Sequence, residues 1–132
     1  MKKIILTLAL AISSICTFAQ SPVELVTYKN KYGPWNATEG KYVFEPHVYA
    51  NITFSFYNQY ISVNDVPHSI YRIIEDLPTT NENGCKTTKC KCLDEQNKDC
   101  IIYLVVFTDC RNSYIQIYYK EFTFVYTLDN EL

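Results

Sequence analysis

Short runs in which apolar and polar residues alternate constrain the fold of this chain more than any other feature. Residues 52–57 alternate in this way, and residues 61–64 do so again after a turn at Asn58-Gln59. Because successive side chains of a β-strand point to opposite faces, a period of two predicts strands rather than helices. The two runs together predict a β-hairpin.

The strongest strand pattern lies closer to the carboxyl end. Residues 101–107 are apolar on both faces, which predicts a central strand that is covered on both sides. Two further alternating runs, residues 114–119 and 122–128, follow after turns at residues 111–113 and 120–121. These three segments predict an antiparallel meander.

The composition favours the same fold class. The chain has 12 tyrosines, 7 phenylalanines and 3 glycines, and aromatic and β-branched residues are good strand formers. We expect an all-β domain in which an antiparallel meander of about seven strands forms a small barrel, a half-barrel or a sandwich. Local patterns do not show long-range pairing, so all three arrangements stay open.

Residues 77–99 interrupt the alternation. The stretch contains Pro78, Asn81, Asn83 and Gly84 together with several lysines and most of the cysteines, and no apolar period is visible in it. Turn-forming residues without periodicity predict a long loop. A loop of this length in a compact domain is usually functional, disordered or cross-linked.

The first 19 residues have the layout of a secretory signal peptide. A short basic start precedes an apolar run over residues 4–12, and Ala19 is a small residue at the cleavage position. We expect a signal helix that is cleaved after Ala19, leaving residues 20–132 as a single periplasmic or secreted β-domain. Two alternatives stay open: lipidation at Cys16, and a retained anchor, although the apolar run is shorter than the about 20 residues of a membrane span.

The charge of the chain disfavours several classes of partner. The formal charge is −2, and loss of Lys2 and Lys3 with the signal peptide leaves −4. A mildly acidic domain lacks the basic face that nucleic acid requires and the polybasic patch of a membrane-surface protein. No second apolar segment is long enough to cross a bilayer, so we expect no stable membrane span after cleavage.

Five cysteines remain in the expected exported domain, and an odd number leaves at least one unpaired or bonded to another chain. Disulfides are the default in an oxidising compartment, and the candidates are Cys85, Cys90, Cys92 and Cys100. Our first expectation is either Cys85–Cys92 or Cys90–Cys100. Cys110 is the candidate unpaired thiol, because an extended strand would hold it about 33 Å from Cys100. The spacing departs from the two-residue gaps of zinc sites, so we expect no metal, and free thiols are the remaining alternative.

No catalytic constellation stands out. An acid, a histidine and a serine are close in sequence at Asp65, His68 and Ser69, but adjacent residues on a strand point to opposite faces, and no nucleophile elbow surrounds the serine. The acid pairs Glu75-Asp76 and Asp94-Glu95 are expected to be solvated rather than to face each other across a cleft. No glycine loop for phosphate is present. We therefore expect no enzymatic activity and no cofactor.

Aromatic residues offer the best candidates for a binding surface. Tyr114, Tyr118 and Tyr119 fall on the closing strands, and Trp35, the only tryptophan, lies in a turn that begins at Gly33. Tyrosine combines an apolar ring with a polar tip, which suits recognition surfaces. A place at the rim of the core is the alternative for these tyrosines.

Several loose patterns resemble uncharacterised small secreted β-proteins of Gram-negative bacteria. They are the signal ending in Phe18-Ala19-Gln20, the turn Gly33-Pro34-Trp35, the hairpin over residues 52–66, Ser69-x-Tyr71 and the closing run over residues 115–126. That family supplies no catalytic residue. Gly33-x-Trp35 is also similar to the opening motif of lipocalins, although this chain is shorter than usual for that family and has a proline in the middle position.

The function that these patterns favour is an exported, non-enzymatic β-domain that binds an unknown protein or a component of the cell envelope or extracellular space. An inhibitor or immunity protein against a secreted effector is one alternative. A small-ligand carrier with a lipocalin-like barrel is the other, and it predicts an interior cavity of about several hundred Å³.

Overall fold

The computed structural model describes residues 22–65, 68–108 and 112–128. Three expectations fall outside these residues: the signal peptide over residues 1–19, lipidation at Cys16 and the unpaired thiol of Cys110. The described residues form strands and no helix. The nine strands are β1 (Val23–Asn36), β2 (Lys41–Tyr42), β3 (Val48–Phe56), β4 (Tyr60–Asn64), β5 (Ser69–Glu82), β6 (Cys85–Leu93), β7 (Asp99–Phe107), β8 (Tyr114–Tyr118) and β9 (Phe122–Leu128).

Eight of these strands close into an antiparallel barrel. Its neighbours follow the order β1-β3-β4-β5-β6-β7-β8-β9, and β9 pairs back onto β1 from Thr27↔Leu128 to Pro34↔Phe122. This last pairing makes the fold a closed barrel rather than a half-barrel or a sandwich. The prediction of an all-β antiparallel barrel is confirmed, and β2 adds a short extension to the end of β1.

The long first strand, β1, pairs with both β3 and β9 because it bends. Its first half pairs with β3 and its second half with β9, and both registers shift between Thr27 and Lys29. A bulge of this kind bends a strand and increases its twist, as barrel closure requires. Beyond the bulge, Lys29, Lys31 and Gly33 lie on the outer face of β1.

The prediction of a loop over residues 77–99 is wrong for most of this stretch. Residues up to Glu82 continue β5, and β6 pairs with β7 along its whole length, so only residues 94–98 form a loop. The turn is Asn83-Gly84, with φ angles of 52° and 71°, and Asn-Gly is a strong two-residue hairpin signal. The distal half of β5 is exposed on both faces, so a strand forms there without an apolar period.

Inward-facing side chains fill the barrel. Phe54 is fully buried, and its ring meets that of Tyr126 edge-on at 4.8 Å. Tyr71 on β5 lies near enough to Tyr126, on the opposite strand of the barrel, to contribute with burial to the raised pKa of Tyr126. Because buried aromatic side chains carry a large packing energy, replacing Phe54 by alanine is expected to cost about 3–5 kcal/mol.

The loop between β6 and β7 is held by the carboxylate of Asp94. Asp94 Oδ1 accepts the backbone N–H groups of Gln96 and Lys98, each at 2.9 Å. Its Oδ2 accepts the hydroxyl of Tyr119 at 2.8 Å. One carboxylate therefore shapes the turn and also ties it to the β8–β9 hairpin.

Candidate functional site

A groove on the outside of the barrel gathers exposed aromatic side chains. Its volume is about 720 Å³, and it lies where the ends of β1, β7 and β8 meet the β2 extension. We call it the aromatic groove. It is lined by Trp35, Tyr42, Lys91, Asp99, Cys100, Ile101, Tyr118, Lys120 and Glu121.

The strand pairing fixes the aromatic rings in this groove. Trp35 lies opposite Tyr42 in the β1–β2 pair, and their ring centroids are 5.0 Å apart at an interplanar angle of 71°. The ring of Tyr42 in turn meets that of Tyr118 at 5.2 Å and 72°. Because the backbone N–H of Trp35 donates to the carbonyl of Glu121 at 2.8 Å, the tryptophan is also fixed to the β8–β9 turn.

Tyr42 holds the β2 extension against the barrel. Its hydroxyl donates to the carbonyl oxygen of Tyr119 at 2.7 Å. The pKa of Tyr42 is raised to about 12, mainly by burial and to a smaller extent by the neighbouring Tyr118. The hydroxyl therefore stays protonated at neutral pH and remains a donor, so this side of the groove is preorganised.

The opposite side of the groove belongs to the outer face of β7 and β8. Ile101 lies opposite Tyr118 in the register, and the ring of Tyr103 stacks nearly parallel to that of Tyr118, with centroids 6.2 Å apart. Trp35 is 44% exposed and Tyr118 is 36% exposed, so both rings are accessible. The result is a rigid aromatic surface facing solvent.

The rim of the aromatic groove carries equal numbers of opposite charges. Lys91 and Lys120 supply two ammonium groups, and Asp99 and Glu121 supply two carboxylates. These groups offer hydrogen-bond donors and acceptors around an apolar floor without a net charge. This arrangement suits a ligand that is neutral overall and rich in hydroxyl or amide groups.

The structure separates the four binding candidates that the sequence suggests. Trp35 and Tyr118 come together in the aromatic groove. Tyr119 points inward, is 5% exposed and donates its hydroxyl to Asp94, so it is not part of this surface. Tyr114 is half-buried beside Phe107 and lies outside the aromatic groove. Sequence reasoning missed Tyr42, since only the fold brings it between the two accessible rings.

The four described cysteines are unbonded. The register separates both pairs that the sequence suggests. Cys85 and Cys92 lie on one extended strand about 23 Å apart, and Cys90 lies opposite Ile102 rather than Cys100. Instead, Cys92 and Cys100 are direct cross-strand partners, and both are buried. The Sγ atoms of Cys90 and Cys92 are 3.5 Å apart.

His68, which the sequence places close to Asp65 and Ser69, contacts a serine that the sequence did not suggest. Ser62 Oγ and His68 Nε2 are 2.6 Å apart in an exposed hydrogen bond, and neither lines a groove described here. Within the described residues, no group of three or more His, Cys, Asp or Glu side chains is arranged to hold a metal ion. The part of the chain that the structure describes also has no helix long and apolar enough to cross a membrane.

The fold and the groove define a closed, antiparallel, eight-stranded β-barrel domain with an aromatic site on its outer surface. Comparisons with protein families, with curated proteins and with solved structures find no match to this chain. The resemblances to small secreted β-proteins and to lipocalins stay predictions. The function therefore has to be argued from the site itself.

Proposed function

We propose that this protein is an exported, non-enzymatic binding domain whose aromatic groove holds a neutral saccharide of the cell envelope or extracellular space. The observation that carries the proposal is the pair of accessible rings, Trp35 and Tyr118, fixed on either side of Tyr42 in a groove of about 720 Å³. The signal-like first 19 residues support export.

A saccharide matches both chemical features of the groove. The C–H faces of a pyranose ring are apolar and pack on aromatic rings, whereas its edge carries hydroxyl groups that seek donors and acceptors. The rings of Trp35 and Tyr118 supply the first kind of contact, and the four charged side chains on the rim supply the second. Because the rings are held by strands, little conformational entropy is lost on binding.

A carrier function has less support than surface binding. The two cavities described for this barrel both open on its outside. Inside, Tyr71 and Tyr126 on opposite strands are near neighbours, and Phe54 is fully buried. Packed aromatic side chains thus occupy space that a lipocalin-like carrier keeps for its ligand.

Calorimetric titration of the exported domain with cellohexaose, maltohexaose and chitohexaose tests the proposal. We expect at least one of these neutral sugars to bind, and both Trp35→Ala and Tyr118→Ala to weaken binding about ten-fold, since loss of one stacked ring costs about 1 kcal/mol or more. Tyr60→Ala is the matched control, because Tyr60 is an exposed tyrosine that stacks on Tyr57 outside the groove.

Three results would contradict the proposal. One is that none of the three hexasaccharides binds to the unsubstituted protein. Another is that the groove variants bind as well as the Tyr60 control. The third is that mass spectrometry finds the bound sugar shortened, which would make the domain an enzyme. Export is tested separately: the protein recovered from the periplasm or the medium should begin at Gln20.

A further inference from the structure

A second cavity, of about 560 Å³, opens on the outer face of β1, β8 and β9. We call it the basic groove. Its lining includes two lysines of β1, one amide of β8 and two side chains of the segment between β2 and β3, namely Lys29, Lys31, Gln116, Phe44 and His47. It shares no lining residue with the aromatic groove, and Tyr114 is the residue of its lining that the sequence suggested for binding.

The strand register places its polar groups side by side. Lys31 and Gln116 both lie opposite Val125, one on each side of β9, and Lys29 lies opposite Thr127 on the next outward rung. The ammonium group of Lys31 is also held 4.3 Å from the centroid of the Phe44 ring. Two cations and an amide therefore face the same cavity in fixed positions.

The charge of this cavity is opposite to that of the whole chain. Lys29, Lys31 and His47 line it, and none of its described lining residues is a carboxylate. The formal charge of the chain is −2. A concave site lined by one sign of charge concentrates ions of the opposite sign, so an anionic group is the complementary ligand.

The pKa of His47 responds to the two lysines of the cavity. Burial, and then the charges of Lys29 and Lys31, lower the pKa of this imidazole from its ordinary value of 6.5. The groups that face the cavity are these two ammonium groups from β1 and the phenol of Tyr114 from β8. A bound anion would offset the two lysines, and the pKa of His47 would rise.

The basic groove adjoins the aromatic groove. Gln116 and Tyr118 are two residues apart on the outward face of β8, which places them about 7 Å from each other along the strand. The two grooves share no lining residue, so a ligand that occupies both must cross this distance on the outer face. The cavity also exceeds the size of a lone sulfate or phosphate, so it can accept the sugar ring that carries such a group.

We propose that the basic groove binds an oxyanion group, a sulfate, phosphate or carboxylate, on the same saccharide chain whose neutral part packs in the aromatic groove. Lys29 and Lys31 bind the oxygens by charge-assisted hydrogen bonds. The amide of Gln116 donates one N–H to Oγ1 of Thr123 and that of Asn112 donates one N–H to the hydroxyl of Tyr28, so each amide has a second N–H as a neutral donor. The natural ligand is then a polysaccharide that places neutral sugar units in the aromatic groove and a unit with an oxyanion group in the basic groove. This inference rests on the proposed function.

The test compares maltohexaose with its sulfated form, titrated into the exported domain at low salt. We expect the sulfated sugar to bind at least ten-fold more tightly, and this advantage to shrink as salt screens the charges. The double variant Lys29→Gln/Lys31→Gln should lose the advantage and keep its affinity for maltohexaose. Lys41→Gln/Lys98→Gln, which removes the same charge elsewhere on the surface, is the control.

A second readout follows the imidazole of His47 by NMR. Its pKa should rise by at least half a unit when sulfated maltohexaose binds, and should not rise with maltohexaose. Equal affinities for the two sugars, or an advantage that survives in the Lys29/Lys31 variant, would overturn the inference.

The remaining outcomes separate the two proposals. If maltohexaose binds but sulfation adds nothing, this inference fails and the proposed function stands. If neither sugar binds, cellohexaose and chitohexaose do not bind either, and inorganic sulfate alone shifts the pKa of His47, the saccharide assignment fails for both grooves. Binding of phosphatidylglycerol vesicles in preference to the sulfated sugar would overturn the inference in favour of a membrane surface.

Discussion

At the scale of single residues, Asp94 is a carboxylate that accepts three hydrogen bonds. Burial alone would raise its pKa, but the hydrogen bonds from Lys98, Tyr119 and Gln96 outweigh that effect and lower the pKa below its ordinary value of 3.8. A group with a lowered pKa in the folded state stabilises the fold above its unfolded pKa. That contribution is lost as the pH falls through the folded pKa.

We expect Asp94→Asn to lower the free energy of unfolding at pH 7 by about 1–2 kcal/mol, because the hydroxyl of Tyr119 and two backbone N–H groups lose a charged acceptor. The deficit should shrink as the pH falls from 4 towards 2. Urea denaturation at several pH values measures both effects. Glu39→Gln, an exposed change in another turn, should have little effect at any pH.

Tyr119→Phe removes the other partner of the same hydrogen bond. Because both changes break one interaction, the double variant Asp94→Asn/Tyr119→Phe should cost less than the two single costs together. Strict additivity in the double-mutant cycle would show that the bond between this phenol and Asp94 contributes nothing to stability.

At the scale of elements, the β5–β6 hairpin shows where local reasoning failed. The alternation of residues 52–64 predicts β3 and β4 because one face of each is buried, and the structure pairs Phe54 with Val63 as that hairpin requires. The distal half of β5 buries neither face, so it carries no such pattern. The signal that could have identified it was the dipeptide Asn83-Gly84.

The turn of this hairpin gives a direct test. Gly84 has a φ of 71°, and a Cβ added there would lie 2.8 Å from Oγ1 of Thr108. We expect Gly84→Ala to cost about 1–2 kcal/mol from the backbone conformation alone, with a further cost from that contact. Gly40→Ala is the matched control, with a similar φ of 68° and nothing within 4 Å. Equal costs at the two sites would contradict the role of Thr108.

The β6–β7 hairpin carries a cross-strand pair of thiols, Cys92 and Cys100, and we expect these to form a disulfide in an oxidising compartment. Direct partners on antiparallel strands have Cα atoms about 4.5–5.5 Å apart, within the range of a disulfide. Cys92 and Cys100 each lose a proton and together give two electrons to a disulfide-exchange protein, which is reduced to its dithiol form. Closing this short loop should add about 2–3 kcal/mol of stability.

Mass mapping of the protein after oxidation, without reduction, should find a peptide that links Cys92 to Cys100. Cys85→Ser should leave both the bridge and the stability gain unchanged, because Cys85 lies at the far end of β6. A bridge from Cys92 to any other cysteine would contradict the register as the determinant of pairing.

At the scale of the whole molecule, closure of the barrel determines which residues lie together on its outer surface. The pairing of β1 with β9 joins residues about 100 positions apart, and no local pattern encodes it, because hydrophobic alternation shows which face is buried but not which strand lies alongside. Closure is also what brings Trp35 of β1 next to Tyr118 of β8. The sequence could therefore identify both residues as binding candidates, but it could not predict that they line one groove.

The same limit applies to the basic groove. Lys29 and Lys31 look like solvated strand residues in the sequence, and His47 follows a proline in an irregular segment. Only the bend after Thr27 and the closure of the barrel place all three around one cavity. Charge patterns along a chain cannot show such a cluster, since its members are brought together by strands distant in sequence.

The most direct test of a saccharide in the aromatic groove uses the fluorescence of Trp35. This is the only tryptophan of the chain, and it lines the groove, so its emission reports the groove without a label. Titration with the neutral hexasaccharide that binds in calorimetry should produce a saturable shift in emission, which Tyr118→Ala weakens about ten-fold and Tyr60→Ala leaves unchanged. An emission spectrum that stays constant while the sugar binds would place the ligand elsewhere and contradict the central claim.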